Sequence, residues 1–287
     1  MNTPTNLQPG RMTAIAACAL CLASASATRA ATLLVSYPMN EASWGGTAPQ
    51  VADASGNGHD GTVAGPANTV SDPLFGQVGG FYGTGAGTGD TSGGYVSVGG
   101  PSASVSGARS IVAWVNPSAN SSYWGQPIVS GGYATAGDMF GITGAGGENS
   151  GLPQYELFVD HWGYAAYNST ATVTPGQWNF VAMTFDGAGN VQFYINGAFA
   201  GGVSGPGLYD YDLTTYTVGG NTIGGSTMNG SLNGQLRDVG IYSGALSPSD
   251  ISALYTATSV PEPGTLAAGL GALALVAVFG LRRPARC

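Results

Sequence analysis

From about residue 31 to residue 257 the chain repeats one pattern: short runs of alternating apolar residues, each cut off by a cluster of Gly, Asn, Asp, Ser and Pro. Residues 33–37, 95–98, 110–115, 155–159, 179–185, 191–195, 216–218 and 235–242 are such runs. Successive side chains of an extended strand point to opposite faces, so a period of two predicts strands with at least one buried face. Residues 179–185 are the clearest case, with Val181, Met183 and Phe185 on one face and Phe180, Ala182 and Thr184 on the other. Val191, Phe193 and Ile195 repeat the period beyond a hairpin loop at 186–190, and Asn196-Gly197 turns the chain back again. Many short strands closed by frequent turn signals predict an all-β fold, an antiparallel β-sandwich of jelly-roll type. Such a fold needs many positive-φ positions, and 49 of the 287 residues are Gly, which adopts them without steric cost.

One short helix is expected near the end of this region. Ser247 is an N-cap, Pro248 takes the first helical position and Asp250 completes the cap. Ile251, Leu254 and Tyr255 then form an apolar stripe. Trp114 and Trp178 sit in alternating runs and are assigned to the core, while the Gly-rich stretch 76–94 reads as a loop. A single domain over residues 31–258 accounts for the whole pattern.

The charge is sparse and one-sided. Charged residues make up 8% of the chain, there is no Lys, and the formal net charge is −8. Five of the seven Arg lie at the ends, so residues 31–260 hold two Arg against fourteen acids, a net of −12. Phosphate binding depends on clustered Lys and Arg, which excludes nucleic acid and anionic lipid surfaces as partners. Divalent cations and neutral ligands remain.

Both ends read as addresses. Arg11, the apolar small-residue run 12–27 and the Ala25-Ser26-Ala27 site make residues 1–30 a secretory signal peptide. Cys18 and Cys21 form a CxxC, but inside that apolar run, so a redox role is not expected. At the other end, residues 264–281 carry no charge and have the minimum length for a transmembrane helix. The arginines that follow should remain cytoplasmic. Pro261-Glu262-Pro263, the apolar stretch and the terminal Arg282-Arg283 together resemble a PEP-CTERM sorting signal, spanning residues 259–287. That resemblance implies processing by an exosortase-type enzyme, transient anchoring in the inner membrane, and delivery to the cell surface or an extracellular exopolysaccharide (biofilm) matrix. The third cysteine, Cys287, falls in the cytoplasmic stub, so the exported part needs no disulfide.

Several segments of the body fit a second resemblance. They are Asp53-Ala54-Ser55-Gly56-Asn57-Gly58-His59-Asp60-Gly61, the strand Ser110-Ile111-Val112-Ala113-Trp114-Val115, and Gly176-Gln177-Trp178-Asn179-Phe180-Val181. Phe193-Tyr194-Ile195-Asn196-Gly197 and Gly234-Gln235-Leu236-Arg237-Asp238-Val239-Gly240-Ile241-Tyr242 follow in order. Together they resemble the laminin G-like, concanavalin A-like jelly-roll family. The resemblance implies a β-sandwich lectin-type module and a structural Ca2+ held by Asp53, Asn57 and Asp238. Arg237 stands where the family commonly has an acid, and it could pair with Asp53 in place of the metal. Asp and Asn as plain turn formers are the alternative reading of the same loop.

Tyr123, Trp124, His161, Trp162 and Tyr164 fall in loop-like segments and are the candidate carbohydrate-binding residues, since aromatic rings stack on sugar faces. Rim packing of the sandwich is the alternative for the same rings. Glycoside hydrolysis needs two carboxylates about 5–9.5 Å apart. Glu156 and Asp160 share one face of a strand but four residues separate them, about 13 Å. No Ser-nucleophile motif and no HExxH helix is present, so no catalytic residue is assigned. The expectation is a noncatalytic module that binds a glycan or exopolysaccharide, the alternative being a passive structural or adhesive matrix protein.

Overall fold

The computed structural model describes residues 31–83, 93–100, 104–105, 107–119, 125–133, 136–144, 154–161, 165–204, 211–212, 216–223 and 227–259. The signal-peptide and sorting segments therefore lie outside the described residues, apart from Ser259. No helix among the described residues is long and apolar enough to cross a membrane.

The strands run in chain order β1 (Thr32–Tyr37), β2 (Gly61–Ala64), β3 (Asn68–Asp72), β4 (Gly76–Tyr82), β5 (Tyr95–Val98), β6 (Ser104–Val105) and β7 (Arg109–Pro117). They continue with β8 (Gly125–Tyr133), β9 (Ala136–Thr143), β10 (Glu156–His161), β11 (Ala165–Thr172), β12 (Asn179–Phe185), β13 (Asn190–Ile195) and β14 (Ala198–Ser204). The last are β15 (Tyr211–Asp212), β16 (Thr217–Val218), β17 (Gly220–Ile223), β18 (Thr227–Ser231) and β19 (Asn233–Ser243), before the helix α1 (Pro248–Thr258).

Two antiparallel sheets carry the fold, as the alternation predicts. One has the order β14-β13-β12-β7-β19-β4-β3, with β1 also paired to β19; the other runs β11-β10-β9-β8-β16-β5-β2. The long strand β19 organises the first sheet. Its whole length lies against β7, while β4 takes its first residues and β1 its last on the other side. Between the sheets lies the main core, where Val35, Ile111, Val115, Phe140, Leu157, Val181, Phe193 and Ile241 are essentially inaccessible. Fully burying side chains of this size stabilises by about 1.5–3 kcal/mol each, which makes this layer the main source of stability.

The hairpins follow their turn chemistry. Asn196 and Gly197 both take positive φ (51° and 77°), the pattern of the two-residue turn that Asn-Gly favours, and they join β13 to β14. In α1, Ser247 Oγ accepts the Asp250 N–H while the Asp250 carboxylate accepts the Ser247 N–H, the reciprocal cap read from the sequence.

Two expectations need correction. The Gly-rich stretch 76–94 is not a loop throughout, because residues 76–82 form β4, paired to both β3 and β19. The glycines there allow close approach: a Cβ on Gly79 would lie 2.6 Å from the Trp44 ring and 2.9 Å from Met39 Sδ. The second correction concerns Trp178, whereas Trp114 belongs to the buried core as expected. Trp114 is buried, but on the outer face of the first sheet, in a separate cluster with Val112, Phe180, Ala182, Tyr194, Leu246 and Ile251 beneath α1. Trp178 precedes β12 and is half-buried at the margin of that cluster. Both faces of β7 and β12 are covered, so alternation alone could not say which face meets the opposite sheet.

Candidate functional site

The loop 53–60 wraps the free edge of β1. Asp53 Oδ1 accepts the N–H groups of Ser36 (2.9 Å) and Ser55 (3.0 Å), and its Oδ2 accepts the Ser55 hydroxyl (2.7 Å) and the His59 N–H (3.0 Å). Asn57 donates its amide to the carbonyls of Leu33 and Leu34, and the single Ser55 hydroxyl proton lies between Asp53 Oδ2 and the Leu34 carbonyl, 2.9 Å from Oγ. Buried His59 sits 2.9 Å through Nδ1 from the Gly99 carbonyl, tying the loop to the end of β5. The side chains thus occupy backbone groups that a free strand edge would otherwise offer to another chain. Burial pushes the Asp53 carboxyl up, but the hydrogen bonds from Ser36, Ser55 and His59 outweigh it and hold the group below the ordinary range.

Asp238 lies beside the other end of this region. Its N–H donates to Pro38, and it occupies a bulge of β19 at φ 49°. That bulge swings its carboxylate to Arg237, whose Nε and Nη2 lie 2.9 and 2.7 Å from Oδ2. Arg237 therefore pairs with Asp238 rather than with Asp53. The guanidinium also stacks 4.1 Å over the Phe75 ring on the outer face of the sheet. Among the described residues no three His, Cys, Asp or Glu side chains converge on a possible cation position. Each Asp53 oxygen accepts two hydrogen bonds from the loop and from β1.

A depressed carboxylate stabilises the fold only while ionised. Stability from Asp53 is present above the unfolded value of about 3.9 and is lost as pH falls through the lower folded value. Thermal melts from pH 7 down to pH 2 are expected to show a shallower acid decline in Asp53→Asn than in the parent chain. Parallel curves would remove this role from Asp53.

The described neighbours of the candidate aromatic residues lie at opposite ends of the second sheet. Gly125, which follows Tyr123 and Trp124, opens β8 opposite Thr143 of β9. His161 closes β10 opposite Asp138, itself paired with Gly131. Six residues of β8 separate these two ends, roughly 20 Å. The side chain of His161, and Tyr123, Trp124, Trp162 and Tyr164 altogether, lie outside the described residues. Pro261, Glu262, Pro263, Arg282 and Arg283 do as well.

Glu156 on β10 is built into the sheet. Glu156 is buried and accepts a hydrogen bond from Asn168 Nδ2 at 3.2 Å. A bulge in β11 lies opposite, where Ser169 Oγ accepts the Leu157 N–H and donates to the Ala171 carbonyl. Elsewhere Asp72 accepts from Trp178 Nε1, Glu41 from Trp44 Nε1 and Ala52 N–H, and Asp186 from Asn190 within its hairpin. These carboxylates act as fixed acceptors of the fold.

One feature had no counterpart in the sequence reading. On the outer face of the first sheet, Val70, Gly80, Tyr82, Asn116 and Gln235 line an open cleft of about 330 Å3. Its residues come from four strands separated by up to 165 positions in the chain. No local motif connects them, and only the register of β19 against β4 and β7 brings them together.

A family model for the concanavalin A-like lectin/glucanases superfamily, of laminin G type, matches residues 90–252. The chain belongs to this superfamily. Solved structures of similar fold agree with that membership. Domain 4 of a GH43 extracellular arabinanase from Geobacillus stearothermophilus, in complex with arabinotriose, superposes with a TM-score of 0.53 at 18% identity, over 78% of this chain and 98% of that one. A botulinum neurotoxin type C structure, whose cell entry depends on two ganglioside molecules, gives 0.53 at 18% identity over 79% of this chain. The binding domain of botulinum neurotoxin DC with rat synaptotagmin II gives 0.54 at 19% over the same share. The superfamily chain described here spans about half, 51%, of those toxin chains. Comparison with curated proteins returns no match.

Proposed function

We propose that this chain is an exported, noncatalytic binding module that holds a glycan at the cell surface or in an exopolysaccharide matrix, delivered there by its C-terminal sorting segment. The observation that carries the noncatalytic part is the use of carboxylates. In a fold that hosts both lectins and glucanases, eight carboxylates among the described residues, Glu41, Asp53, Asp72, Asp138, Glu156, Asp186, Asp238 and Asp250, accept hydrogen bonds or ion pairs within the protein. Hydrolysis needs an acid and a base or nucleophile that face a substrate instead. The neighbours crystallised with arabinotriose or described with gangliosides support a saccharide as ligand. The near absence of basic residues in the body supports a neutral one.

In this reading the Asp53 loop acts through hydrogen bonds and Ca2+ is not needed for retention. The export and anchoring part rests on residues 1–30 and 259–287. The test is a glycan array probed with the full-length chain, with and without EDTA, alongside a reducing-sugar assay on every bound glycan. Retention that resists salt and chelation, without sugar release, is the expected result. Release that disappears in Glu156→Gln would make the protein an enzyme, and blank arrays would favour the structural or adhesive role.

A further inference from the structure

The outer cleft is more than a gap in the sheet surface. Gln235 of β19 lies opposite Asn116 of β7 on one side and Gly80 of β4 on the other, and Asn68 of β3 lies beyond Gly80. Asn116 Nδ2 donates to Gln235 Oε1 at 3.3 Å, which orients the two amides as a pair. One amide oxygen, on Asn116, and one amide nitrogen, on Gln235, are left to face other groups. Two residues beyond Gly80, on the same face, Tyr82 closes β4 opposite Asn233 and is 48% exposed.

The empty Cβ position of Gly80 explains how Tyr82 is held. A Cβ there would lie 3.1 Å from Tyr82 Oη and 2.9 Å from Val70 Cγ1. The tyrosine therefore lies back along its own strand, with its hydroxyl over the glycine. An aromatic ring laid over a strand glycine is fixed in place, so little conformational entropy is lost when a ligand covers it. The result is an ordered ring surface beside a side-chain donor and acceptor.

The lining also restricts the ligand. Among the described residues the lining carries no charge: Val70, Gly80, Tyr82, Asn116, Ser118 and Gln235 are joined there by Gly, Pro, Phe and Asn. The nearest arginine on this face, Arg237, is stacked on Phe75 and paired with Asp238. Phosphate, carboxylate and cation ligands thus lack a counter-charge in the cleft. An aromatic surface with a few fixed polar groups, at about 330 Å3 within the roughly 300–1,000 Å3 of small-ligand sites, suits a neutral polyhydroxylated ring. We infer that this cleft is a binding subsite for a neutral saccharide, with one sugar face on Tyr82 and hydroxyls paired to Asn116 and Gln235. The inference rests on the glycan-binding reading and gives it a location on the outer face of the first sheet.

Affinity electrophoresis of the full-length chain in gels containing arabinan, xylan, mixed-linkage β-glucan or polygalacturonate tests both. The parent chain is expected to be retarded by at least one neutral polymer and not by polygalacturonate. Tyr82→Ala is expected to weaken that retention about tenfold or more, about 1.4 kcal/mol. Tyr82→Phe, which keeps the ring, should stay within about twofold, and Gln235→Ala should fall between, as loss of one hydrogen bond does. Tyr82 is exposed, so unchanged melting of Tyr82→Ala separates lost binding from lost folding. If Tyr82→Ala binds like the parent, or if Trp124→Ala or Trp162→Ala abolishes retention instead, the subsite is overturned while glycan binding stands. Passage of the parent chain through all the gels overturns both, whereas retention by polygalacturonate alone overturns the neutral subsite and leaves glycan binding standing.

Discussion

Asp138→Ala is expected to lower stability by about 3–5 kcal/mol, because it strands a buried arginine. Arg109 opens β7 on the inner face of the first sheet, and Asp138 lies on β9 of the second. Their side chains are 1% and 0% exposed, with Arg109 Nη2 donating to Asp138 Oδ2 at 2.6 Å. The guanidinium also lies 4.9 Å over the Phe185 ring and donates to the Gly107 carbonyl. The pair therefore bridges the two layers at one end of an otherwise apolar core. For a domain of this size the loss corresponds to a fall in melting temperature of roughly 10 °C. Desolvating two charges offsets much of their attraction, so the double change Arg109→Met with Asp138→Leu should recover a large part of the loss. Melting curves of the single and double variants check this. A single-variant loss below about 1 kcal/mol would mean that water reaches the guanidinium.

Trp114→Ala should cost a similar amount, about 3–5 kcal/mol, but with a different spatial signature. The ring packs against Phe180 at 5.7 Å and Tyr255 at 5.7 Å, with Phe75 at 5.6 Å on its other side. Its Nε1 donates to Thr258 Oγ1 at 2.7 Å, reaching the last turn of α1. A helix of 11 residues is marginal alone in water, so this packing and the Ser247 cap hold it on the sheet. Hydrogen exchange should therefore show amides 251–258 losing protection in Trp114→Ala while β8–β10 of the other sheet keep theirs. Thr258→Val, which removes only the hydrogen bond, should cost about 1 kcal/mol. Uniform loss of protection across both sheets would make Trp114 part of the single cooperative core instead.

These two residues also mark how far local pattern carries. Trp114 sits in an alternating run that predicts at least one buried face, and in the structure both faces are buried. One face meets the second sheet and the other meets α1. Arg109 was visible as one of two arginines in an acidic body, but its partner could not be read. Asp138 lies 29 positions away on the opposite layer, and only sheet packing joins them. The 53–60 loop was legible as a turn dense in polar side chains. Its destination, the free edge of β1, depends on which strand is left without a neighbour. The stretch 76–82 was misread because glycine suggests loops, whereas Gly79 and Gly80 admit Trp44 on one face and Tyr82 on the other.

The amino-acid order by itself settled what is local: strands of period two, the Asn196-Gly197 turn, the Ser247 cap, an acidic body with almost no basic groups, and the all-β class that these compel. Backbone geometry and side-chain alternation act over a few residues, so such features can be read directly. The tertiary structure alone decided the order of strands in each sheet, the pairing of Arg109 with Asp138, the turn of Arg237 toward Asp238, and the meeting of Tyr82, Asn116 and Gln235 in one cleft. Those contacts depend on register between strands far apart in the chain, which is set by the joint packing of two sheets and one helix rather than by any single segment.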